Sequence, residues 1–301
     1  MAAPQVAFIG LGVMGAGMAA NLARKGFPLA VFNRTPEKAT PVVALGATLV
    51  GSAAEAARGA DVVFLCLPAT EDVAAVLFGE GGIAVVMNPG AVVIDTSTID
   101  PVATRELAAR LAAQSIAMLD SPVSGGQKGA ADGTLSCMVG GPADVLAQVR
   151  PCLEAIATTI VHIGDAGAGQ VAKACNQICV AANMLGASEA VALALSMGVD
   201  PRRVREALLG GAAKSTVLER HALRLIERDF KPGFRAALME KDLRIAVEAM
   251  NRTLVYAPVS AGIHQLLKAL LQTGRADLDW GAVGALIQEL SGIAPETGTK
   301  G

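Results

Sequence analysis

Over the first half of the chain, short apolar runs closed by glycine, proline or small polar clusters alternate with alanine-rich helical stretches. Runs at residues 6–9, 29–32, 61–67, 91–95, 117–119, 134–140 and 159–163 have the length and continuity of strands buried on both faces. Beyond residue 198 the apolar period turns helical throughout. Asp200-Pro201 starts a helix that stops near Gly210-Gly211, and further helices are predicted over 214–228, 236–250, from Pro258, and over 278–290. Between the two patterns lies the stretch 164–197, free of proline, with Gly164, Gly167 and Gly169 at its start and Gly198 at the expected C-cap. At 1.5 Å per residue its roughly 28 helical residues make a rod of roughly 40 Å, too long for one small domain. The pattern predicts an α/β domain over 1–164, an all-α domain over 165–291 joined by this long helix, and a disordered tail over 292–301.

Composition narrows the class. Apolar residues make up 52% of the 301 positions and aromatics only 3%, which favours closely packed helices over a sandwich or barrel. A net charge of −2 gives no support to nucleic-acid binding, and no basic run suggests an acidic partner. The long helix is not read as a membrane span, because Lys173, Asn176, Gln177, Asn183 and Glu189 interrupt it. The start runs straight into a strand without a basic segment, so no signal peptide is expected, and the location expected is cytoplasmic. Cys66, Cys137, Cys152, Cys175 and Cys179 include no C-x-x-C spacing, and His162, His221 and His264 are far apart. The cysteines read as reduced, small core residues, and no metal site is expected.

The first strand runs into Gly10-Leu11-Gly12-Val13-Met14-Gly15, then a helix closed by Gly26 and a second strand. This strand–turn–helix–strand setting is what the dinucleotide fingerprint requires. Gly10 permits the tight turn, Gly12 lets backbone N–H groups approach a pyrophosphate, and Gly15 lets helix and strand pack closely. The end of the second strand reads Asn33-Arg34-Thr35, with no carboxylate to repel a ribose 2′-phosphate. A guanidinium and two short polar groups favour NADP(H), with NAD(H) also possible if Arg34 merely stacks on adenine. Leu67, Pro68 and Thr98 follow later strands, at ends that face the ligand crevice of such a sheet, and are candidate contacts to ribose and nicotinamide. Asp100, with Pro101 behind it, is the better N-cap for the next helix.

Ser124-Gly125-Gly126 follows another strand end, and successive N–H groups in such a turn suit a substrate carboxylate; residues 129–133 read as more loop. Lys173 and Asn176 lie three apart on the long helix, hence on one face. An isolated lysine there is either a stem lying on the surface with its ammonium in water or a partly desolvated catalytic amine.

Four stretches together resemble the β-hydroxyacid dehydrogenase family, which includes 3-hydroxyisobutyrate dehydrogenases, tartronate semialdehyde reductases and glyoxylate/succinic semialdehyde reductases. They are Phe8-Ile-Gly-Leu-Gly-Val-Met-Gly15, Asp120-Ser-Pro-Val-Ser-Gly-Gly126, Gly167-Ala-Gly-Gln-Val-Ala-Lys-Ala-Cys-Asn176 and Lys241-Asp-Leu243. The stretches 132–136, 215–218 and 229–235 are most similar to the tartronate semialdehyde (2-hydroxy-3-oxopropionate) reductases, although those often carry an Asp where this chain has Asn33-Arg34-Thr35. The resemblance implies a Rossmann domain followed by a helical domain, with the long helix forming much of a homodimer or homotetramer contact. It implies that Lys173 is the catalytic acid/base, that Asn176 binds substrate, and that Ser124, Gly125 and Gly126 hold the carboxylate. Lys241 would lie near the cofactor, and Phe234 and Asp242 would line the site. Some relatives place the substrate amide one residue later, where this chain has Gln177. The activity implied is NAD(P)-dependent interconversion of a small carboxylate-bearing aldehyde and its 3-hydroxyacid. Distant alternatives are an imine reductase, which replaces the catalytic lysine, and a non-catalytic NADP-binding scaffold.

Overall fold

The protein is described by a computed structural model over residues 3–293. Contacts divide the chain into two compact units, Met1–Lys173 and Ala174–Gly301. The first is built on one nine-stranded sheet. Its strands are β1 (Val6–Ile9), β2 (Leu29–Phe32), β3 (Thr48–Leu49), β4 (Val62–Leu65) and β5 (Val92–Asp95). They continue as β6 (Ala117–Asp120), β7 (Val123–Ser124), β8 (Leu135–Gly140) and β9 (Ala157–Gly164). The path β3-β2-β1-β4-β5-β6 is parallel throughout, the order of a Rossmann sheet. Beyond β6 the sheet turns mixed: β8 runs antiparallel to β6 and β7 and parallel to β9.

Why these runs make strands is visible in β1. Val6 and Phe8 enter one core, with Phe8 stacked on Phe64, while Ala7 and Ile9 enter the core on the opposite face. Both faces being covered, the strand reads as an unbroken apolar run. The covering helices are α1 (Val13–Arg24), α2 (Thr40–Val43), α3 (Ala53–Ala57), α4 (Thr70–Phe78), α5 (Pro101–Ala112), α6 (Gly126–Asp132) and α7 (Ala143–Glu154). Asp100 caps α5 by accepting from the N–H groups of Val102 and Ala103, with Pro101 at the first helical position, as its sequence predicts.

Residues 129–133 do not continue the loop expected there. They belong to α6 and its left-handed cap Gly133, because Lys128 pairs with Asp132 one turn on and the helix packs tightly on α1. At that contact a Cβ on Gly17 would stand 2.9 Å from the backbone of Ala130.

The long helix α8 (Ala168–Ser196) begins in the first unit and continues into the second. Its length and apolarity would suit a membrane span, yet Lys173, Gln177 and Ser188 along it are buried in the protein. The second unit adds α9 (Pro201–Leu209), α10 (Thr216–Ile226), α11 (Ala236–Thr253), α12 (Pro258–Gln272) and α13 (Ala282–Leu290) around Met184, Leu243, Leu267 and Trp280. The helix expected from residue 278 starts later, because Asp279 serves as a hub instead. Its carboxylate accepts from Arg224 Nη1 at 2.9 Å and from the N–H groups of Gly233, Phe234 and Gly281. Burial alone would raise the Asp279 carboxyl, but His221, these N–H groups and the Arg224 charge outweigh it and hold the carboxyl below its ordinary range. Most of the tail expected over 292–301 lies outside the described residues.

Candidate functional site

The glycine turn between β1 and α1 divides its labour clearly. Gly10 has φ +100°, and a Cβ there would stand 2.3 Å from the Cys66 carbonyl oxygen; a Cβ on Gly15 would stand 1.9 Å from the Gly10 oxygen. The chain's own packing requires both. Gly12 is different, since a Cβ there would meet nothing within 4 Å. Gly12 is also the N-cap of α1, makes no side-chain cap, and is followed by a first turn without an acidic residue. N–H groups without a side-chain cap at the positive end of a helix, beside the open space at Gly12, fit a pyrophosphate. Leu11 is buried, Val13 exposed and Met14 half-buried. Gly12→Ala should therefore leave the thermal midpoint within about 2 °C of wild type while weakening dinucleotide binding at least about tenfold. Gly15→Ala should lose both, and parallel melts and fluorescence titrations of the two variants check the contrast.

At the end of β2, Asn33 is occupied by the protein itself. Its Oδ1 accepts from the Leu11 N–H and its Nδ2 donates to the Thr35 oxygen, both at 2.8 Å. The amide expected to help hold a 2′-phosphate ties the glycine turn to the end of β2. Arg34 is 79% exposed along its side chain, 3.8 Å from Asp72. Both Asn33 and Arg34 line a groove of about 570 Å³ with Phe32, Pro36 and residues 49–51. Thr35 is exposed beside them.

The ends of β4, β5 and β6 are laced together by side chains. Leu67 N–H donates to Ser97 Oγ at 2.8 Å, which joins the segment carrying Leu67 and Pro68 to the segment carrying Thr98. Gln170, on the first turn of α8, donates to the Ser97 oxygen and accepts from the Ile99 N–H, bracketing Thr98. Asp120, at the end of β6, accepts from the N–H groups of Gly167 at 2.7 Å and Gln170 at 2.9 Å. Burial pushes the Asp120 carboxyl up, and the N–H groups of Gly167 and Gln170 pull it partly back. These bonds fasten the start of α8 to the sheet, and the first compact unit includes this turn through Lys173.

One turn beyond Gln170, Lys173 is 7% exposed and its Nζ donates to the Val123 oxygen at 2.9 Å. It is a buried amine, not a surface stem. Val123 immediately precedes Ser124-Gly125-Gly126, where Gly125 and Gly126 take φ of +134° and +64°. Two successive positive-φ residues form a turn that only glycine adopts readily and that gathers N–H groups. The buried amine and this glycine turn are thus adjacent.

In the second unit, Asn176 Nδ2 donates to Gln177 Oε1 at 2.7 Å, and Gln177 Nε2 donates to Asp242 Oδ2 at 2.8 Å. Asp242 Oδ1 lies 3.1 Å from Lys241 Nζ. Asp242 is 3% exposed, with Gln177 Nε2 and Lys241 Nζ each beside one of its oxygens. Phe234 sits in the turn before α11, held through its N–H by Asp279.

The tethering by Asp120 and Gln170 and the link from Gln177 to Asp242 escape the sequence reading. The signal for the two glutamines was the spacing 170, 173, 177, which places three polar residues on one face of an apolar helix. The cysteines divide in a way the sequence hides. Cys137 and Cys152 are core residues whose thiols burial pushes up to about 11, whereas Cys175 and Cys179 are exposed on α8. No group of three metal-ligating side chains comes together among the described residues.

A Rossmann sheet with an intact glycine turn, followed by helices and carrying a buried lysine beside an anion turn, defines an NAD(P)-dependent oxidoreductase. Residues 5–164 match the family model described as the NAD binding domain of 6-phosphogluconate dehydrogenase. Residues 167–287 match that described as NAD-binding of NADP-dependent 3-hydroxyisobutyrate dehydrogenase. The chain is 40% identical to 2-hydroxy-3-oxopropionate reductase of Escherichia coli over 96% of its length and 98% of the relative's. It is 39% identical to an NAD-dependent L-serine dehydrogenase of Pseudomonas aeruginosa, over 96% of this chain and 99% of that one. Among solved structures, a Mycobacterium tuberculosis 3-hydroxyisobutyrate dehydrogenase with L-serine superposes with a TM-score of 0.87 at 36% identity, covering 95% of this chain and 100% of that one. The chain belongs to the β-hydroxyacid dehydrogenase family, the 3-hydroxyisobutyrate dehydrogenase-like enzymes.

Proposed function

We propose that the protein is an NADP(H)-dependent reductase interconverting a small carboxylate-bearing aldehyde and its 3-hydroxyacid, with tartronate semialdehyde as its best substrate. One observation carries this reading: the Lys173 amine is buried 2.9 Å from the oxygen of Val123, next to the Ser124-Gly125-Gly126 turn. A substrate carboxylate held by that turn brings its carbonyl to the amine. The bound nicotinamide supplies the hydride for the carbonyl carbon. Lys173, as ammonium, stabilises the charge growing on the oxygen and gives it a proton; in the oxidative direction the neutral amine takes that proton back. The substrate choice leans on the relative named 2-hydroxy-3-oxopropionate reductase. 3-Hydroxyisobutyrate dehydrogenase and glyoxylate or succinic semialdehyde reductase activities are the alternatives.

Preference for NADP(H) rests on the exposed Arg34 guanidinium at the end of β2. The observation favouring NAD(H) is Asp72, 3.8 Å from that guanidinium and able to offset it. A steady-state comparison of both nucleotides against tartronate semialdehyde, succinic semialdehyde, glyoxylate and methylmalonate semialdehyde tests the whole reading. Arg34→Ala is expected to raise KM for NADPH about tenfold more than KM for NADH, the worth of one charge-assisted contact. A wild-type preference for NADH would remove the cofactor assignment.

We also propose a homodimer or homotetramer, because Val171, Leu193 and Met197 are exposed along α8 as a stripe that a second copy would cover. A monomer in sedimentation at micromolar concentration would end that idea. A cytoplasmic location is proposed from the five cysteines, none of which forms a disulfide.

A further inference from the structure

Gln170 is 1% exposed, and both halves of its amide engage a single segment, the end of β5. Nε2 donates to the Ser97 oxygen at 2.9 Å, and Oε1 accepts from the Ile99 N–H at 3.1 Å. A carbonyl needs a donor and an N–H needs an acceptor, so the two partners settle which way the amide points. The clasped segment is itself anchored: Ser97 Oγ accepts from the Leu67 N–H, and the Ser97 N–H donates to Asp95 Oδ1 at 3.0 Å. On the helix side, the Gln170 N–H donates to Asp120 Oδ2 at 2.9 Å. Three residues on, the buried Lys173 Nζ donates to the Val123 oxygen. Gln170 thus sets the spacing between the residues around Thr98 and the turn of α8 that carries the amine, all within the first compact unit.

We propose that Gln170 is a positioning residue for the reaction: its amide holds Lys173 in register with Thr98, so that proton donor and nicotinamide address the same carbonyl. The proposal rests on the functional reading above, with Lys173 as proton donor and Thr98 beside the nicotinamide. The hydride goes to the carbonyl carbon and the Lys173 proton to the oxygen bonded to it, so the two donors must keep a fixed separation. Gln170 acts on that separation through the backbone on either side of Thr98 and through one turn of helix. A displacement of about 1 Å at such a site costs on the order of 10²-fold in rate. Leucine at 170 offers the segment neither hydrogen bond, and an ionised glutamate offers acceptors alone.

The test is the rate constant for NADPH oxidation in a single turnover, with whichever of the four aldehydes named above reacts fastest. Loss of folded enzyme shrinks the amplitude and leaves the rate constant alone, whereas a displaced amine lowers the rate constant. Gln170→Leu should lower it at least about tenfold while the Kd for NADPH stays within about threefold of wild type. Without nucleotide, hydrogen exchange over residues 97–99 should quicken in this variant, because the Ile99 N–H has lost its acceptor. Gln170→Glu adds a signature in pH. A neutral carboxyl offers one donor and one acceptor, the same pair as the amide, whereas a carboxylate sets oxygen against the Ser97 oxygen. The charged groups around this position are Asp95 and Asp100 flanking the segment, Asp120, Lys173, and Arg105, which reaches the Ala166 oxygen. Wild type carries all of them, so the ratio of the two rate constants isolates the introduced carboxyl. That ratio should rise at least about fivefold between about pH 8 and about pH 5.5, as the carboxyl takes up its proton. Should Gln170→Leu not fold, this ratio decides alone. A smaller loss in Gln170→Leu, unchanged exchange over 97–99, or a ratio flat in pH overturns the positioning role, and the reductase reading stands if Lys173→Ala slows the same step. Lys173→Ala reacting at the wild-type rate, or a wild type that reduces none of the aldehydes, overturns both.

Discussion

Replacing Lys173 by alanine is expected to lower kcat by about 10²–10⁴-fold, the range a positioned proton donor supplies. NADPH should still bind, because the glycine turn and the groove at Arg34 involve other residues. The fold should survive as well, since Asp120 and Gln170 hold the first turn of α8 without help from the amine. Lys173→Met, which keeps most of the volume, separates loss of the amine from loss of packing. Rapid-mixing turnover and fluorescence titration of NADPH measure the two properties independently. Turnover within tenfold of wild type in both variants would mean that another group carries the proton.

The second large effect is expected at Asp120. Removing its carboxylate in Asp120→Ala strands the buried N–H groups of Gly167 and Gln170, at about 1–3 kcal/mol each. Relief from burying a charge returns part of this, so a net loss of about 3 kcal/mol is expected. The pH dependence has a definite sign. With its folded pKa raised above 3.8, Asp120 in the folded chain keeps a proton that the unfolded chain has already lost. Its contribution to stability therefore falls as pH rises through that window, and Asp120→Ala should lack this fall. Urea midpoints across the acid range measure both effects, and hydrogen exchange should quicken first at the start of α8. An unchanged midpoint would show that the carboxylate does not fasten the helix.

How legible the molecule was in its sequence depended on where each residue's partners lie. Strands β1, β2, β4, β5 and β6 are buried on both faces and announce themselves as apolar runs. Strands β3 and β7, two residues each, are too short to carry a period. Helix α6 was hidden because Gly126 and Gly129, which suggest loop, are tolerated by its close packing on α1 and β8. The glycine turn was readable because strand, turn and helix are written in local spacing, whereas spacing left Lys173 open between surface and interior, its partner Val123 lying 50 residues earlier. Asn33 was visible, but its partners, a backbone donor 22 residues earlier and an oxygen two residues on, were not. Asp120, Gln170 and Gln177 act on groups 47 to 73 residues away, and no local pattern reports such distances.

The seam between the two compact units falls directly after Lys173. The buried Lys173 amine therefore belongs, with the glycine turn and the Ser124-Gly125-Gly126 turn, to the half of the chain that precedes the seam. A chimera joined at this seam to the helical half of a relative is expected to keep the glycine turn's hold on the nucleotide, which a fluorescence titration with NADPH would measure.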